Sequence, residues 1–417
     1  MNHRPLSLVK NRVLERIRPW ESIRHAFFHD ETVAPSAWTD YLAYSGFVSL
    51  VLLLVQFVTG LLLLFYYSPH PMKAFESVLF IKNEVPNGFL VVTLHAINAK
   101  LIMLTLFIHM FRIMYVSAHR GPRSNQWYTG STLLTLMLIT GFSGYLLPWS
   151  QQSYWACVIG TEAMRSIPLI GDGLAWLLKG GKEVSGRTLA IFYGFHVILL
   201  PISIVIGIWF HLKRVWDTGV SAPPDMIARI ETESCIGCGV CSRICPFDAI
   251  EMDSPFGKKK AMVDPNRCNG CRACLGKCPT ASIELFSEEI PLKREPIFPH
   301  GLLNRALASI GVLMILFTAT FFFHGLLMEE RTPADPLVTP DRIKPDWYFM
   351  GPYQVLKVMP SEFTGLVSLT AVFLLMVFLP KLDHSGPRNP TRRPIYIFLV
   401  KTAIFAFIFL TIWGFIS

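Results

Sequence analysis

Apolar residues along this chain gather into long stretches rather than into the short alternating patches of a soluble domain. Seven runs read as uncharged and long enough, at about 20 residues, to cross about 30 Å of hydrocarbon as helices. They are Leu42 to Tyr66, Phe89 to Val116, Thr129 to Leu147, Leu189 to Phe210, Leu302 to Leu326, Thr364 to Leu379 and Ile395 to Phe415. The sixth is short and fits when set at an angle. Between the fourth and fifth the composition turns mixed polar and charged, from about Ser221 to Pro299. The pattern predicts a mainly α, polytopic membrane protein, with a four-helix bundle and three further transmembrane helices separated by a soluble α+β insert. The expected boundaries are 1–38 for an N-terminal segment, 39–220 for the bundle, 221–298 for the insert and 299–417 for the last three helices.

Composition and charge sharpen this. With 52% hydrophobic and 16% charged residues over 417 positions, an ordinary soluble enzyme is excluded. The formal charge of +9 is not a nucleic-acid signal, because the cations sit in short segments flanking alternate spans. Arg4, Lys10, Arg12, Arg16, Arg18 and Arg24 precede the first span, and Arg112, Arg120 and Arg123 lie between the second and third. Lys213, Arg214, Lys381, Arg388, Arg392 and Arg393 follow the fourth and sixth. The positive-inside rule then puts the N-terminus and the insert on the cytoplasmic side of a bacterial inner membrane. The first 38 residues lack the core of a signal peptide. Leu6, Val9, Val13 and Ile17 form the stripe of an amphipathic helix lying on membrane lipid, with a solvated basic tail as the alternative.

Eight of the nine cysteines lie between Cys235 and Cys278, in a segment assigned to the reducing cytoplasm, so disulfides are not expected. The chain reads Cys235-Ile-Gly-Cys238-Gly-Val-Cys241-Ser-Arg-Ile-Cys245-Pro246 and later Cys268-Asn-Gly-Cys271-Arg-Ala-Cys274-Leu-Gly-Lys-Cys278-Pro279. In such runs three closely spaced thiolates wrap one cubane and the fourth serves the other. Cys235, Cys238, Cys241 and Cys278 are therefore expected to hold one [4Fe–4S] cluster, and Cys268, Cys271, Cys274 and Cys245 the second. Zinc is the competing metal, but nothing about it calls for two successive four-cysteine runs. Lys258, Lys259 and Lys260 read as a solvated turn or as a docking patch for an acidic electron carrier or lipid head groups.

Four histidines sit inside apolar spans, where an ionisable side chain is a functional signal. His95 and His109 lie in the second span, 14 residues apart, and His196 and His211 in the fourth, 15 apart. Both separations come close to whole numbers of helical turns, so each pair shares a face about 21 to 22 Å apart along the axis. The two spans run the same way, so His95 pairs with His196 near the outside and His109 with His211 near the inside. Each couple suits the axial ligation of one haem b. Gly46 and Gly60, and Gly130 and Gly144, repeat the 14-residue interval in the first and third spans, giving clearance for a flat macrocycle or for helix packing. Arg112 stands one turn beyond His109, where it suits a haem propionate or anchors the helix end.

These residues resemble the cytochrome b family of quinol-oxidising cytochrome bc complexes. Gly144-Tyr145-Leu146-Leu147-Pro148-Trp149-Ser150-Gln151 resembles the family's segment after the third helix, and Pro345-Asp346-Trp347-Tyr348 its Pro-Glu-Trp-Tyr signature at the outer quinol site. The 15-residue histidine spacing and the four-plus-three helices resemble the chloroplast type, here with both halves in one chain. The insert resembles the two-cluster bacterial ferredoxins. Three positions depart from the pattern. Asp346 replaces Glu, Ile191 stands where many members have Arg, and no cysteine for an extra haem is found near Tyr44. Cys157, outside the insert, reads as an inert packing residue.

The resemblance implies a quinol oxidoreductase subunit in which Asp346 accepts the quinol proton and Tyr348 hydrogen-bonds the quinone. Electrons are expected to pass from the outer site through two haems towards the cytoplasmic side, where the clusters form an extra electron port. A Rieske iron–sulfur protein and a c-type cytochrome are the implied partners, within a homodimeric complex, and a cytoplasmic carrier is expected at the insert. The alternative is a ferredoxin-linked quinone reductase without a Rieske partner.

Overall fold

The computed structural model describes residues 31–33, 38–218, 227–253, 259–265, 267–268, 270, 273–286, 294–327, 332–340, 343–384 and 392–417. The expected stripe at Leu6, Val9, Val13 and Ile17, together with Lys258, Cys271 and Arg388, lies outside the described residues.

Strand β1 (Glu31–Val33) leads into α1 (Ser45–Leu64), α2 (Ala74–Asn83), α3 (Gly88–Tyr115), α4 (Ser124–Leu146), α5 (Gln151–Arg165) and α6 (Gly171–Lys179). Next come α7 (Gly186–Gly194) and α8 (Leu200–Thr218), joined through a wide π turn at Phe195–Leu199. α1 packs along α3 and α4 along α8. α1, with Gly46 and Gly60, thus lies beside α3, with His95 and His109, and α4, with Gly130 and Gly144, lies beside the stretch that carries His196 in the π turn and His211 in α8. Val48, Leu52, Leu94, Ile97, Ile102 and Ile204 fill the space between, with Leu316 from a later helix. In lipid such a core is held by close packing rather than by escape from water.

The insert consists of β2 (Ile227–Ile230), α9 (Val240–Ile244), β3 (Ile250–Asp253), β4 (Lys260–Val263) and β5 (Ile283–Phe286). β2 pairs antiparallel with β5, Ala228 facing Leu285, and β3 with β4, Ile250 facing Val263. Ala228, Ile250, Ala261 and Ile283 turn inward and pack with the cysteines. A last strand, β6 (Arg294–Pro296), pairs with β1 and ties the end of the insert to the chain ahead of α1.

The remaining membrane portion holds α10 (Leu302–Phe322), α11 (Trp347–Val358), α12 (Glu362–Val377) and α13 (Pro394–Ile416). α10 packs on α1 and α3, α11 on α13 and α3, and α12 on α4. Leu54 and Leu61 on α1, and Phe405 and Ile412 on α13, are more than half exposed, as suits a surface that meets acyl chains.

Among the described residues, five helices are long and apolar enough to cross a membrane, over Tyr41–Leu64, Gly88–Tyr115, Gly186–Trp216, Phe298–Phe322 and Pro394–Ile416. Seven were expected, and the two differences have separate causes. α4 has the length, at 23 residues, but is rich in hydroxyls. Thr129, Thr132, Thr135 and Thr140 donate to carbonyls of their own helix, which satisfies them without making the helix apolar. α12 has only 16 residues, roughly 24 Å at 1.5 Å per residue. The second span also differs from its reading as uncharged: Lys100 stands within α3 and is paired with Asp346 at 2.9 Å.

Candidate electron-transfer sites

The four histidines are held by one device used four times. In Ser45-Gly46, Thr59-Gly60, Thr129-Gly130 and Ser143-Gly144, a hydroxyl residue directly precedes the repeated glycine. Ser45 Oγ lies 3.3 Å from His109 Nδ1 and Thr59 Oγ1 2.9 Å from His95 Nδ1. Thr129 Oγ1 lies 2.9 Å from His211 Nδ1 and Ser143 Oγ 3.1 Å from His196 Nδ1. Each hydroxyl gives its proton to a carbonyl of the preceding turn, at Leu42, Val55, Asn125 and Thr140 respectively. Its oxygen is then left to accept from the imidazole, which assigns the proton to Nδ1 and leaves a lone pair on Nε2. Gln56 agrees with that assignment. Its Oε1 accepts from Asn98 Nδ2 at 2.8 Å, so its amide nitrogen faces His95 Nε2 at 3.1 Å.

The glycines act on the same rings. A Cβ on Gly46 would stand 2.9 Å from His109 Cε1, on Gly60 3.1 Å from His95, on Gly130 3.3 Å from His211 and on Gly144 2.5 Å from His196. The clearance expected for a macrocycle is, at the glycines themselves, clearance for the imidazole edge.

His95 and His196 come together with ring centres 6.4 Å apart. Two imidazoles each about 2 Å from one metal, with nitrogens aimed at it, have centres roughly 6 Å apart. This pair therefore fits a haem iron by spacing, tautomer and donor type. His211 lies within electrostatic reach of His109. The unequal sequence intervals are reconciled by the π turn that contains His196. On a regular helix 14 and 15 residues differ by about 100° in direction; a wide turn absorbs the extra residue and returns His211 to the face of His196.

In the insert, Cys235, Cys238, Cys241 and Cys278 line one recess, floored by Ala261 and Ile283. Among the described residues no three His, Cys, Asp or Glu side chains sit close enough to hold a single metal ion. Thiols spread around a recess suit a polynuclear cluster. Gly237, with φ of 68°, brings the loop against the Lys259 carbonyl, where a Cβ would collide. Cys245, Cys268 and Cys274 pack in the same core. Ala228 and Ala249 donate backbone N–H groups to Cys268 and Cys245 sulfur, each at 3.3 Å, contacts of the kind that tune cluster sulfur. Phe247, two residues beyond Cys245, packs against Gly121 in the turn after α3.

At the His95 end, two distant segments are stitched together. Gln151 donates to the Val338 carbonyl and accepts from Asp335 N at 2.6 Å, and Ala334 N donates to the Trp149 carbonyl at 3.2 Å. The second segment leads into Pro345-Asp346-Trp347-Tyr348. Tyr348 is buried against Met103 and Leu134, its hydroxyl 3.4 Å from Asp346 Oδ2. Gly141 leaves room for it, since a Cβ there would stand 2.9 Å from Tyr348 Oη. Sequence reasoning missed Lys100, although a cation inside a span was the signal to find it.

A second missed group lies after α3. His119 and Arg120 are almost wholly buried and both donate to Asp383, His119 Nε2 at 2.9 Å and Arg120 Nε at 3.0 Å. Arg393 completes the cluster and donates to Ser117 Oγ at 2.6 Å. Burial pushes the Asp383 carboxyl up, but hydrogen bonds from His119, Arg120 and Arg393 outweigh it and hold it well below the usual carboxylate range. Cys157 is fully buried, its thiol pushed up to about 12 by burial, as its expected inertness requires.

Paired, glycine-backed histidines in a helical bundle and an eight-cysteine insert define a membrane electron-transfer protein. Its halves match two family models, "Cytochrome b/b6/petB" over residues 31–219 and "Cytochrome b(C-terminal)/b6/petD" over residues 333–417. A third, "4Fe-4S dicluster domain", matches residues 234–282. The chain is 29% identical over 360 residues to cytochrome b of Rickettsia conorii, covering 86% of this chain and 75% of that one. It is 28% identical over 384 residues to cytochrome b of Allochromatium vinosum, covering 89% and 80%. Among solved structures it is similar to "Hyperthermophilic respiratory Complex III", with a TM-score of 0.72, 25% identity, and coverage of 97% of this chain and 90% of that one. The chain has the cytochrome b family fold, with a C-terminal petD-like domain and an inserted dicluster domain, and resembles the bc-complex architecture. It is a cytochrome b-type subunit of a quinol-oxidising bc-type electron-transfer complex with an associated ferredoxin module.

Proposed function

We propose that His95 and His196 hold one haem b and His109 and His211 a second. On the same reading Cys235, Cys238, Cys241 and Cys278 hold one [4Fe–4S] cluster, and Cys268, Cys271, Cys274 and Cys245 the other. The observation that carries this reading is the fourfold unit of hydroxyl, glycine and histidine, which keeps the proton on Nδ1 and a lone pair on Nε2 of each ring, the one on His95 facing the Gln56 amide. Once bound, haems and clusters supply one-electron carriage between quinol and its acceptors. Arg112, in the last turn of α3, is read as the partner of a haem propionate.

Asp346 is the acceptor of the quinol proton and Tyr348 the hydrogen-bond donor beside it. The stitched lobe of Trp149, Gln151, Ala334 and Val338 supports this, because it braces the segment that carries both. The His95 end faces outward and the insert lies in the cytoplasm of a bacterial inner membrane, as the Lys and Arg asymmetry indicates. A Rieske protein and a c-type cytochrome act as partners at the outward end, in a homodimeric complex. The insert serves as an extra electron port for a cytoplasmic carrier, a role supported by the seat of Phe247 on Gly121.

The test is metal and haem analysis of the purified protein with optical and EPR redox titration. Two protohaems and two cubane signals are expected, with H95A or H196A removing one haem and C238A removing one cubane. A full complement of haem in H95A would overturn the ligand assignment.

A further inference from the structure

Lys100 lies within α3 with its side chain 28% exposed, and its Nζ is 2.9 Å from Oδ1 of Asp346, whose side chain is 18% exposed. The other carboxylate oxygen is 3.4 Å from the Tyr348 hydroxyl. Tyr348 from α11 is a titratable neighbour of Asp346, and Tyr145 from α4 lies within electrostatic reach of Tyr348. A lysine inside a span is costly. Here its partner is the residue read above as the proton acceptor, so the site begins as a neutral ion pair.

Resting on that reading of Asp346, we propose that Lys100 is a catalytic counter-charge that changes partners as the quinol proton is transferred. Before the transfer it holds Asp346 as a carboxylate. In the transfer the quinol O–H bond breaks, an O–H bond forms on Asp346, and no electron changes centre. The negative charge passes from the carboxylate to the quinol oxygen, which Lys100 then pairs. The net charge of the site stays zero throughout. In a medium of low dielectric, where a lone anion is strongly disfavoured, this removes the main electrostatic barrier to deprotonation. The quinol anion is then oxidised by the acceptors of the known reaction.

The test is steady-state quinol oxidation by the intact complex bearing K100M, K100R or D346N, with haem spectra reporting assembly. K100M is expected to lower kcat by about 100-fold with KM within a factor of about two. Its loss is greatest on the acid side of the pH profile, and K100R recovers most of the rate. If K100M fails to assemble, K100Q keeps a donor without the charge and replaces it. Wild-type kcat and pH profile in K100M or K100Q, with D346N inactive, overturns the counter-charge alone. Wild-type activity in D346N overturns the reading of Asp346 itself.

Discussion

Phe247 of the insert rests its ring on Gly121, in the turn that follows the helix carrying His109. Gly121 has a φ of 56°, and any Cβ at that position would run into the ring. The ferredoxin module therefore meets the membrane portion through the residue two positions after Cys245. G121A is expected to force this contact apart at a conformational cost of about 1–2 kcal/mol. Freeze-quench EPR combined with stopped-flow optics should find both clusters present and quinol oxidation unchanged. Electron exchange between clusters and haem should slow by roughly tenfold or more, about 1.4 kcal/mol in activation free energy. Unchanged exchange in both G121A and F247A would remove this contact from the route.

The hydroxyl on each Nδ1 predicts a selective effect. Orienting partners of metal-bound histidines typically matter by about 10- to 100-fold in metal affinity. T59V should therefore weaken retention of the haem at His95 and His196 by that order, leaving the pair at His109 and His211 loaded. T59S should restore it. Pyridine haemochrome analysis after detergent washing measures the outcome, and equal loss of both haems would point to general misfolding instead.

The spacing of His95, His109, His196 and His211 was legible because helical period converts sequence interval into direction, and the cysteine runs because cluster ligands are local. The hydroxyls were visible beside the glycines, but their targets lie on neighbouring helices, so only packing reveals them. The π turn at Phe195–Leu199 sits just ahead of Pro201, whose missing N–H breaks the regular ladder there, a local sign that sequence reasoning passed over; the turn lets a 15-residue interval act like a 14-residue one. Lys100 was readable as a charge in a span, whereas its partner Asp346 is far along the chain. The group of His119, Arg120 and Asp383 was illegible for the same reason, each member passing for a loop charge until the fold buries it.

That buried group sets a pH response. A carboxyl held below its unfolded value contributes stability in full above about pH 4, and loses it only as pH falls through the lower folded value. Asp383 therefore contributes evenly across the working range. His119 behaves differently: burial, opposed by its bond to Asp383, lowers its proton affinity. The unfolded chain then binds its proton more readily, so the stability is full above about pH 6.5 and is drawn down as pH falls below it. Thermal unfolding in detergent should show a fall between pH 7 and pH 5 that H119Q removes. D383N, which leaves Arg120 and Arg393 without their anion, should cost about 3–5 kcal/mol at any pH in that range.

The recess of Cys235, Cys238, Cys241 and Cys278 predicts how the two runs share their clusters. Cys278 closes the second run in sequence, but it stands with the ligands of the first around one cavity. Cys245 closes the first run, yet its neighbour Ala249 turns a backbone N–H onto its sulfur, just as Ala228 does for Cys268. Cys278 thus stands with the run that it does not close. C278S should therefore abolish or alter the cluster of Cys235, Cys238 and Cys241, and spare that of Cys268, Cys271, Cys274 and Cys245. Because Phe247 follows Cys245, the spared cluster is the one next to the membrane portion, so its exchange with haem should persist in C278S. C245S should reverse both results. EPR of the reduced proteins distinguishes the outcomes, and a C278S protein that keeps the Cys235-run signal while losing the other would show that each run closes on itself.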